Sequence, residues 1–322
     1  MQELKITMLG ASGVGKTTLL TAMYEQFESN IGNTNLQLTP DDESAVLLQE
    51  RLIELKELLD VFEARGQIGI TPTDRIRSFT FGLGKKGTAP SLQLCFHDYN
   101  GEYHNANASK DDKESVKKLL MESTAVLIPI DAPSLMEKNG KFHERINRPQ
   151  LIKDLFKIAY RELDSPRLVI FAPVKCEKYL VNSKTAKELL EKVKSGYAPL
   201  LDYFNSLGSD PGVASVITPV QTVGSVVFSR IEVDSKNNPH FYFRKIRHDA
   251  EYSPIDSEQP LRYILSFLLK LHLESRQWQF FNFIRDWLKL DTHLKKAVNE
   301  FADGCKTNGN FTVLKGEKWL NI

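Results

Sequence analysis

The sequence predicts an α/β fold of three layers, with a mixed and mostly parallel sheet between helices. Three observations carry this. Leu4–Leu9 is a short apolar run that passes through Gly10, Gly13 and Gly15 into the helical pattern Thr17–Phe27. Arg75–Leu83 and Leu92–His97 read as strands joined by the turn Gly84-Lys85-Lys86-Gly87, and that connection is too short for a crossover helix, so the two run antiparallel. From Ala125 onward strands and helices alternate, as they do in a sheet covered on both faces.

The first strand leads straight into chemistry. Gly10-Ala11-Ser12-Gly13-Val14-Gly15-Lys16-Thr17 fits G-x-x-x-x-G-K-[ST] at every fixed position. Without Cβ atoms, the glycines let the backbone turn tightly and aim its N–H groups inward. The amides from Gly10 to Thr18, with the positive end of the helix, would cradle α- and β-phosphates. Lys16 would neutralise the β- and γ-oxygens, and the Thr17 hydroxyl would ligate Mg²⁺. Between a strand and a helix this is a phosphate loop, and the fold class becomes that of a three-layer P-loop NTPase.

Ser29–Pro40 is polar and reads as a loop. Pro40-Asp41-Asp42-Glu43 starts a helix with acids in its first turn, and Leu48, Leu52, Leu55, Leu59 and Phe62 extend it to about Arg65 as one apolar stripe. The stripe either packs on the main body or meets a partner or second protomer. Beyond the hairpin come a buried strand (Ala125–Ile130), a helix (Pro149–Glu162), a strand (Arg167–Val174), a mostly helical stretch (Thr185–Phe204) and a strand (Val213–Thr218). Val226–Val233 and His240–Lys245 form a strand pair around a Ser-Lys-Asn-Asn-Pro turn. The proline-framed stretch Tyr252–Pro260 leads into an apolar helix, Leu261–Leu273, followed by helices at Trp278–Leu290 and Thr292–Asp303 and a short strand at Phe311–Leu314. The expected organisation is a nucleotide-binding domain over 1–273, with a helical insertion at about 41–65 and a strand-pair insertion at about 226–245. A helical C-terminal extension covers 274–322.

Three further stretches bear on the chemistry. His97-Asp98-Tyr99-Asn100-Gly101-Glu102 ends a strand with a D-x-x-G arrangement. Asp98 can hold Mg²⁺ through water, and the Gly101 amide is free to sense a γ-phosphate. Asp131, closing the next strand, is a rival carboxylate, but with no glycine after it Asp131 reads as a loop-forming or helix-capping residue. Phe171-Ala172-Pro173-Val174-Lys175-Cys176-Glu177 also ends a strand. Guanine presents N1–H and N2–H₂ donors side by side, which one carboxylate accepts together; either Glu177 supplies that carboxylate with Lys175 beside it, or the strand simply ends in charged surface residues. Gly69-Ile70-Thr71-Pro72-Thr73-Asp74 precedes the hairpin and is either a plain turn or, through Thr73 with Thr71 in reserve, the source of a further hydroxyl for Mg²⁺.

In this order the motifs resemble the GTPases of the translation-factor-related (TRAFAC) class, with a Ras-like G domain whose second strand is antiparallel. The resemblance covers residues 1–225. Thr218-Pro219-Val220-Gln221-Thr222-Val223-Gly224 lies where that family's last base-flanking loop falls, which places Thr222 at the nucleotide. Together with Tyr252-Ser253-Pro254 and Gln259-Pro260-Leu261, it looks like the G domains of bacterial conflict and double-GTPase systems. The resemblance implies GTP/GDP and Mg²⁺ as ligands. It assigns Lys16, Thr73, Gly101 and Glu102 to catalysis, Thr17, Thr73 and Asp98 to the metal, and Gly10–Thr18, Lys175, Glu177 and Thr222 to the nucleotide. Two departures stand out: Val174 replaces the family's Asn or Thr, and Glu177 is one methylene longer than its Asp. Glu102 stands where a water-orienting glutamine is expected. A carboxylate there and the lack of an arginine placed for the γ-phosphate imply slow unaided hydrolysis, with a protein partner or second protomer acting on the switch region and the helix at 41–65.

Composition sets the outer bounds. The 322 residues are 41% apolar and 26% charged with a net charge of +1, ordinary for a soluble protein and no field for nucleic acid or an anionic membrane. Cys95, Cys176 and Cys305 suggest reduced thiols in a cytoplasmic protein. No apolar run reaches the roughly 18 residues of a membrane span, and strand and phosphate loop begin too early for a signal peptide. Two other readings stay open: a nucleotide-binding interaction module with little hydrolysis, and an ATP-using P-loop ATPase or kinase.

Overall fold

The computed structural model describes residues 2–30, 34–66, 77–98, 110–208, 211–274 and 292–320. Its strands are β1 (Gln2–Met8), β2 (Leu36–Pro40), β3 (Glu63–Arg65), β4 (Arg77–Lys85), β5 (Leu92–Asp98), β6 (Ala125–Asp131), β7 (Arg167–Val174), β8 (Val213–Ile217), β9 (Val226–Val233), β10 (Pro239–Lys245) and β11 (Thr312–Lys315). The helices are α1 (Lys16–Asn30), α2 (Asp42–Glu57), α3 (Lys110–Glu122), α4 (Ala132–Met136), α5 (His143–Ile146), α6 (Pro149–Ala159), α7 (Ser183–Gly196), α8 (Ala198–Ser206), α9 (Gln259–Glu274) and α10 (Thr292–Ala302).

Eight strands form one sheet in the order β11-β8-β7-β6-β1-β5-β4-β2. The run from β8 through β5 is parallel. β4 lies antiparallel on β5, as the short connection requires, and β2 and β11 close the two edges antiparallel to their neighbours. α1, α9 and α10 bury their apolar faces on one side of the sheet, and α3, α6, α7 and α8 cover the other. Every residue of β6 and β7 is therefore buried, which explains their unbroken apolar runs where a one-sided strand would alternate. Pro129 and Pro173 lie inside these central strands without breaking the ladder. β6 pairs with β1 only as far as Leu127, and β7 with β8 only as far as Phe171, so each proline falls past the end of pairing on one side.

Several boundaries differ from expectation, each for a tertiary reason. The loop expected over Ser29–Pro40 contains β2, whose five residues pair with β4 from Phe81 to Lys85; its polar residues sit on a sheet edge. The helix expected to reach Arg65 stops at Glu57, because Glu63–Arg65 leaves to pair with Tyr242–Arg244 of β10. β4 continues through Lys85, moving the hairpin turn onward. The helix from Pro149 ends at Ala159, and the stretch 185–204 divides at Tyr197 into α7 and α8, the second with Pro199 in its first turn. The helix expected at Trp278–Leu290 lies outside the described residues.

Leu48, Leu52, Leu55 and Leu59 are buried, so the α2 stripe packs on the body. Asp41 caps this helix, accepting from the Ser44 amide at 2.8 Å. Phe62, the last residue of the expected stripe, is 41% exposed and stacks on His248. β3, β10 and β9 form a second, three-stranded sheet, lined by Phe142, Phe228, Phe241 and Phe243. Strands far apart in sequence thus make one small sheet. At the C-terminal end α10 packs on α9, Phe301 meets Phe27 edge-on at 5.0 Å, and Trp319 and Leu320 share the main core. Among the described residues no helix is long and apolar enough to cross a membrane.

Candidate functional site

The site begins where β1 ends, between β5 and β6 at the carboxyl edge of the sheet, the side on which such sheets form their crevices. Gly13 and Gly15 take φ values of 78° and 116°, which L side chains rarely adopt. A Cβ on Gly15 would also stand 3.3 Å from the Val174 side chain. Val174, where the resemblance expects Asn or Thr, thus packs against the phosphate loop.

Lys16 is the first residue of α1 and only 7% exposed. Its ammonium donates to the carbonyls of Gly10 (2.9 Å) and Ala11 (3.2 Å) and lies 3.4 Å from the Asp98 carboxylate. The Thr17 hydroxyl donates to the other Asp98 oxygen at 3.1 Å. Sheet register brings them together: Met8 stands opposite Asp98 in the parallel β1–β5 pair, so the end of β5 is level with the start of the loop. A lysine, a hydroxyl and a carboxylate converge where a triphosphate would end. The oxygen pair Thr17–Asp98 suits Mg²⁺, a hard cation that takes one or two protein oxygens and completes its shell with phosphate and water.

Asp131 does something else. It caps α4, accepting from the Ser134 amide at 2.9 Å, and its second oxygen takes a 2.7 Å ion pair from Lys175. Lys175 has φ 55°, a left-handed conformation uncommon for a residue with a side chain. Its ammonium bridges Asp131 and the Gly13 carbonyl, the latter at 3.2 Å. The end of β7 is thereby fastened to the phosphate loop.

Glu177 follows, 4% exposed. It accepts from the amides of Val223 (3.3 Å) and Gly224 (3.2 Å) through one oxygen, Oε1, and among the described residues no other residue donates to Oε2. Burial pushes its pKa up, and its own amide, those of Gly224 and Val223, and the nearby Lys175 charge pull the other way. The amide loop is itself braced. Gln221 and Ile255 exchange backbone hydrogen bonds, and the Ser253 amide donates to the Val223 carbonyl at 3.0 Å. At Gly224, with φ 75°, a Cβ would stand 1.6 Å from the Ser253 carbonyl oxygen. The proline-framed stretch Tyr252–Pro260 therefore holds the loop that holds Glu177.

Glu177, Lys175 and Thr222 line a cleft together with Thr18 and Arg51. Leu55, Leu59 and Phe243, from α2 with its following turn and from β10, roof it. Sequence reasoning missed Arg51. Its guanidinium donates twice to the Thr18 hydroxyl, from Nε at 3.2 Å and Nη2 at 2.7 Å, and once to Glu54 at 2.8 Å. A trace of it was present: Leu48, Arg51, Leu52 and Leu55 share one helix face, so a cation sits on an apolar stripe. Thr71, Thr73, Gly101 and Glu102 lie outside the described residues.

No protein-family model matches the chain, and no curated protein sequence matches it. Among solved structures it is similar to the signal recognition particle receptor SRb-GTP/SRX complex from Chaetomium thermophilum, at 15% identity and a TM-score of 0.40, covering 70% of this chain and 93% of that one. It is also similar to an ADP-ribosylation-factor-like GTP-binding protein, the small COPII coat GTPase SAR1 from Encephalitozoon cuniculi in complex with GDP, at 13% identity and a TM-score of 0.34, covering 69% and 70%. Likeness at this level says nothing of function, which rests on the site.

Proposed function

We propose that the chain is a GTP-binding molecular switch that requires Mg²⁺ and hydrolyses GTP slowly on its own. The observation that carries the reading is Glu177. A carboxylate almost wholly removed from water costs several kcal/mol unless it is paired, and this one lines the cleft with Thr18, Lys175 and Thr222. Guanine's adjacent N1–H and N2–H₂ would supply the missing partners, with the Lys175 stem and Thr222 beside the base. The phosphates would run along the amides of Gly10–Thr18, with Lys16 at the β- and γ-oxygens. Thr17 and Asp98 would hold Mg²⁺, which offsets charge on those oxygens. Thr73 as a further metal ligand, the Gly101 amide at the γ-phosphate and Glu102 beside the attacking water complete the reading.

The chain's own part in hydrolysis is then positioning and electrostatics, as in phosphoryl transfer generally. The G domain would span 1–273 with insertions at 41–65 and 226–245, carrying 274–322 as an extension. A protein partner or second protomer would act on the switch region and α2. Cys95, Cys176 and Cys305 are all free, which suits the reducing cytoplasm. A nucleotide panel tests the reading: GTP, GDP, ATP and ADP, with and without Mg²⁺, scored for affinity and for phosphate release in a single turnover. Guanine nucleotides should bind at least tenfold more tightly, and Mg²⁺ should favour GTP. Tighter binding of ATP would overturn the assignment.

A further inference from the structure

We infer that Arg51 contacts the nucleotide: the inserted helix α2 delivers a cation, within the same chain, to the α-phosphate. This rests on the nucleotide-binding reading and extends it to a residue outside the phosphate-loop, D-x-x-G and base motifs.

Position comes first. The metal end of the site is marked by Lys16, Thr17 and Asp98, and the base end by Lys175, Glu177 and Thr222. Arg51 lines the cleft with the base-end residues and Thr18, and neither Lys16 nor Asp98 lines it. Its guanidinium is anchored on Thr18, in the first turn of α1, where a helix leaves backbone N–H groups unpaired and favours an anion. Between the base and the β-phosphate, the anionic group of a nucleotide is the α-phosphate.

Charge comes second. Arg51 is 9% exposed. Among the described residues its partners are a neutral hydroxyl and Glu54, whose side chain is 44% exposed and so largely screened by water. Three of the five guanidinium N–H groups are used by these bonds, which leaves one on Nη1 and one on Nη2. Were Arg51 only a brace between α2 and α1, a neutral side chain would serve without the cost of burying a cation. A phosphate oxygen supplies the missing counter-charge and matches the planar fork. The contact also ties α2, and the small sheet its following strand joins, to occupancy of the site.

The test uses GTP, GDP, GMP and guanosine against wild type, Arg51→Met and Arg51→Lys. The α-phosphate is common to the first three and absent from the fourth. Arg51→Met should lose about 10–100-fold for GTP, GDP and GMP alike and nothing for guanosine, the range expected for a charged hydrogen bond. Arg51→Lys should fall between. GDP should slow amide hydrogen exchange in α2 of the wild type but not of Arg51→Met. Loss confined to GTP would move Arg51 to the γ-phosphate and overturn the inference. So would equal loss for guanosine, which marks a brace, or no loss at all. Should Arg51→Met fail to fold, Arg51→Lys carries the same ratios. A wild type that binds none of the four, or that binds as well with Lys16→Ala, would fault the nucleotide reading itself and take Arg51 with it.

Discussion

The two ends of the proposed nucleotide site are built in opposite ways. The phosphate end is a contiguous stretch from Gly10 to Thr18 plus one residue, Asp98, delivered by the register of neighbouring parallel strands. The base end is assembled from five segments: the end of β7, the 221–224 loop, its 252–255 brace, α2 and the β3–β10 pair. A local motif tolerates change elsewhere, because its geometry is set by glycine conformations and one helix start. A non-local pocket depends on every segment that holds it. Perturbations at the two ends should therefore differ in kind, with loss of binding and an intact fold at one, and coupled loss of fold and selectivity at the other.

The largest effect should come from Lys16→Ala. Among the described residues its ammonium contacts only loop carbonyls and Asp98, so the fold should survive its loss. Affinity for GTP and GDP should fall by more than about 100-fold, as a cation meeting two phosphates is lost. Calorimetric titration with a melting curve separates the two quantities. Wild-type affinity in a folded Lys16→Ala protein would break the comparison at its simpler end.

Next is Glu177→Ala, which should weaken GTP by about 100-fold and ATP far less, because adenine has no donor pair for the carboxylate. Equal losses would retire the guanine reading. pH gives a second view of the same group. Burial raises the Glu177 pKa in the folded protein above its unfolded value. Protonation therefore favours the empty folded state: this contribution is fully present below the unfolded pKa and is lost as pH rises through the folded one. Guanine binding needs the carboxylate, so GTP affinity should fall as pH drops through the raised folded value, while the empty protein gains stability over the same window. In Glu177→Gln both trends should flatten.

Gly224→Ala should act on the brace. A Cβ 1.6 Å from a backbone oxygen, at φ 75°, forces the loop off Ser253. A stability loss of about 2–4 kcal/mol is expected, in the range of backbone strain combined with lost packing. Guanine preference should fall with it, which thermal melts and the GTP/ATP affinity ratio would read. A stable variant with intact preference would show the base end to be as local as the phosphate end.

The sequence was legible where structure is local or strictly periodic. The phosphate loop, the antiparallel β4–β5 pair, the buried β6 and β7 runs and the α2 stripe all follow from spacing and side-chain type. What it hid was pairing between distant segments. Glu63–Arg65 looks like a continuing helix because its partner lies almost 180 residues away, at Tyr242–Arg244. The short polar β2 owes its state to the edge of β4. Tyr252–Pro260 was visible as a punctuated stretch, but its role depends on the approach of the Ser253 carbonyl to Gly224. Arg51 was masked by the regularity of its own helix, whose leucines account for the fold while the cation between them belongs to the cleft.

The smallest effect on the cleft should come from the outer face of α2. Leu48, Leu52 and Leu55 face the body, while Val46 and Ile53 of the same helix are 57% and 47% exposed. Apolar side chains left in water make no contact that stability needs, so Val46→Ser and Ile53→Ser should shift stability by less than about 0.5 kcal/mol. GTP affinity should not change, because Arg51 faces the other way, onto Thr18. If a partner stimulates hydrolysis through this helix, the same variants should lower the stimulated rate alone. The available range is wide: unaided small GTPases turn over far below once per second, and an arginine supplied in trans is worth about 10³–10⁵. Single-turnover phosphate release from the isolated chain, with and without cell extract fractions, would give both rates. An isolated monomer releasing phosphate several times per second, unaffected by Glu102→Ala, would show that the chain needs neither the helix nor a partner. Variants that weaken GTP binding as strongly as Arg51→Met would instead show that both faces of α2 serve the nucleotide.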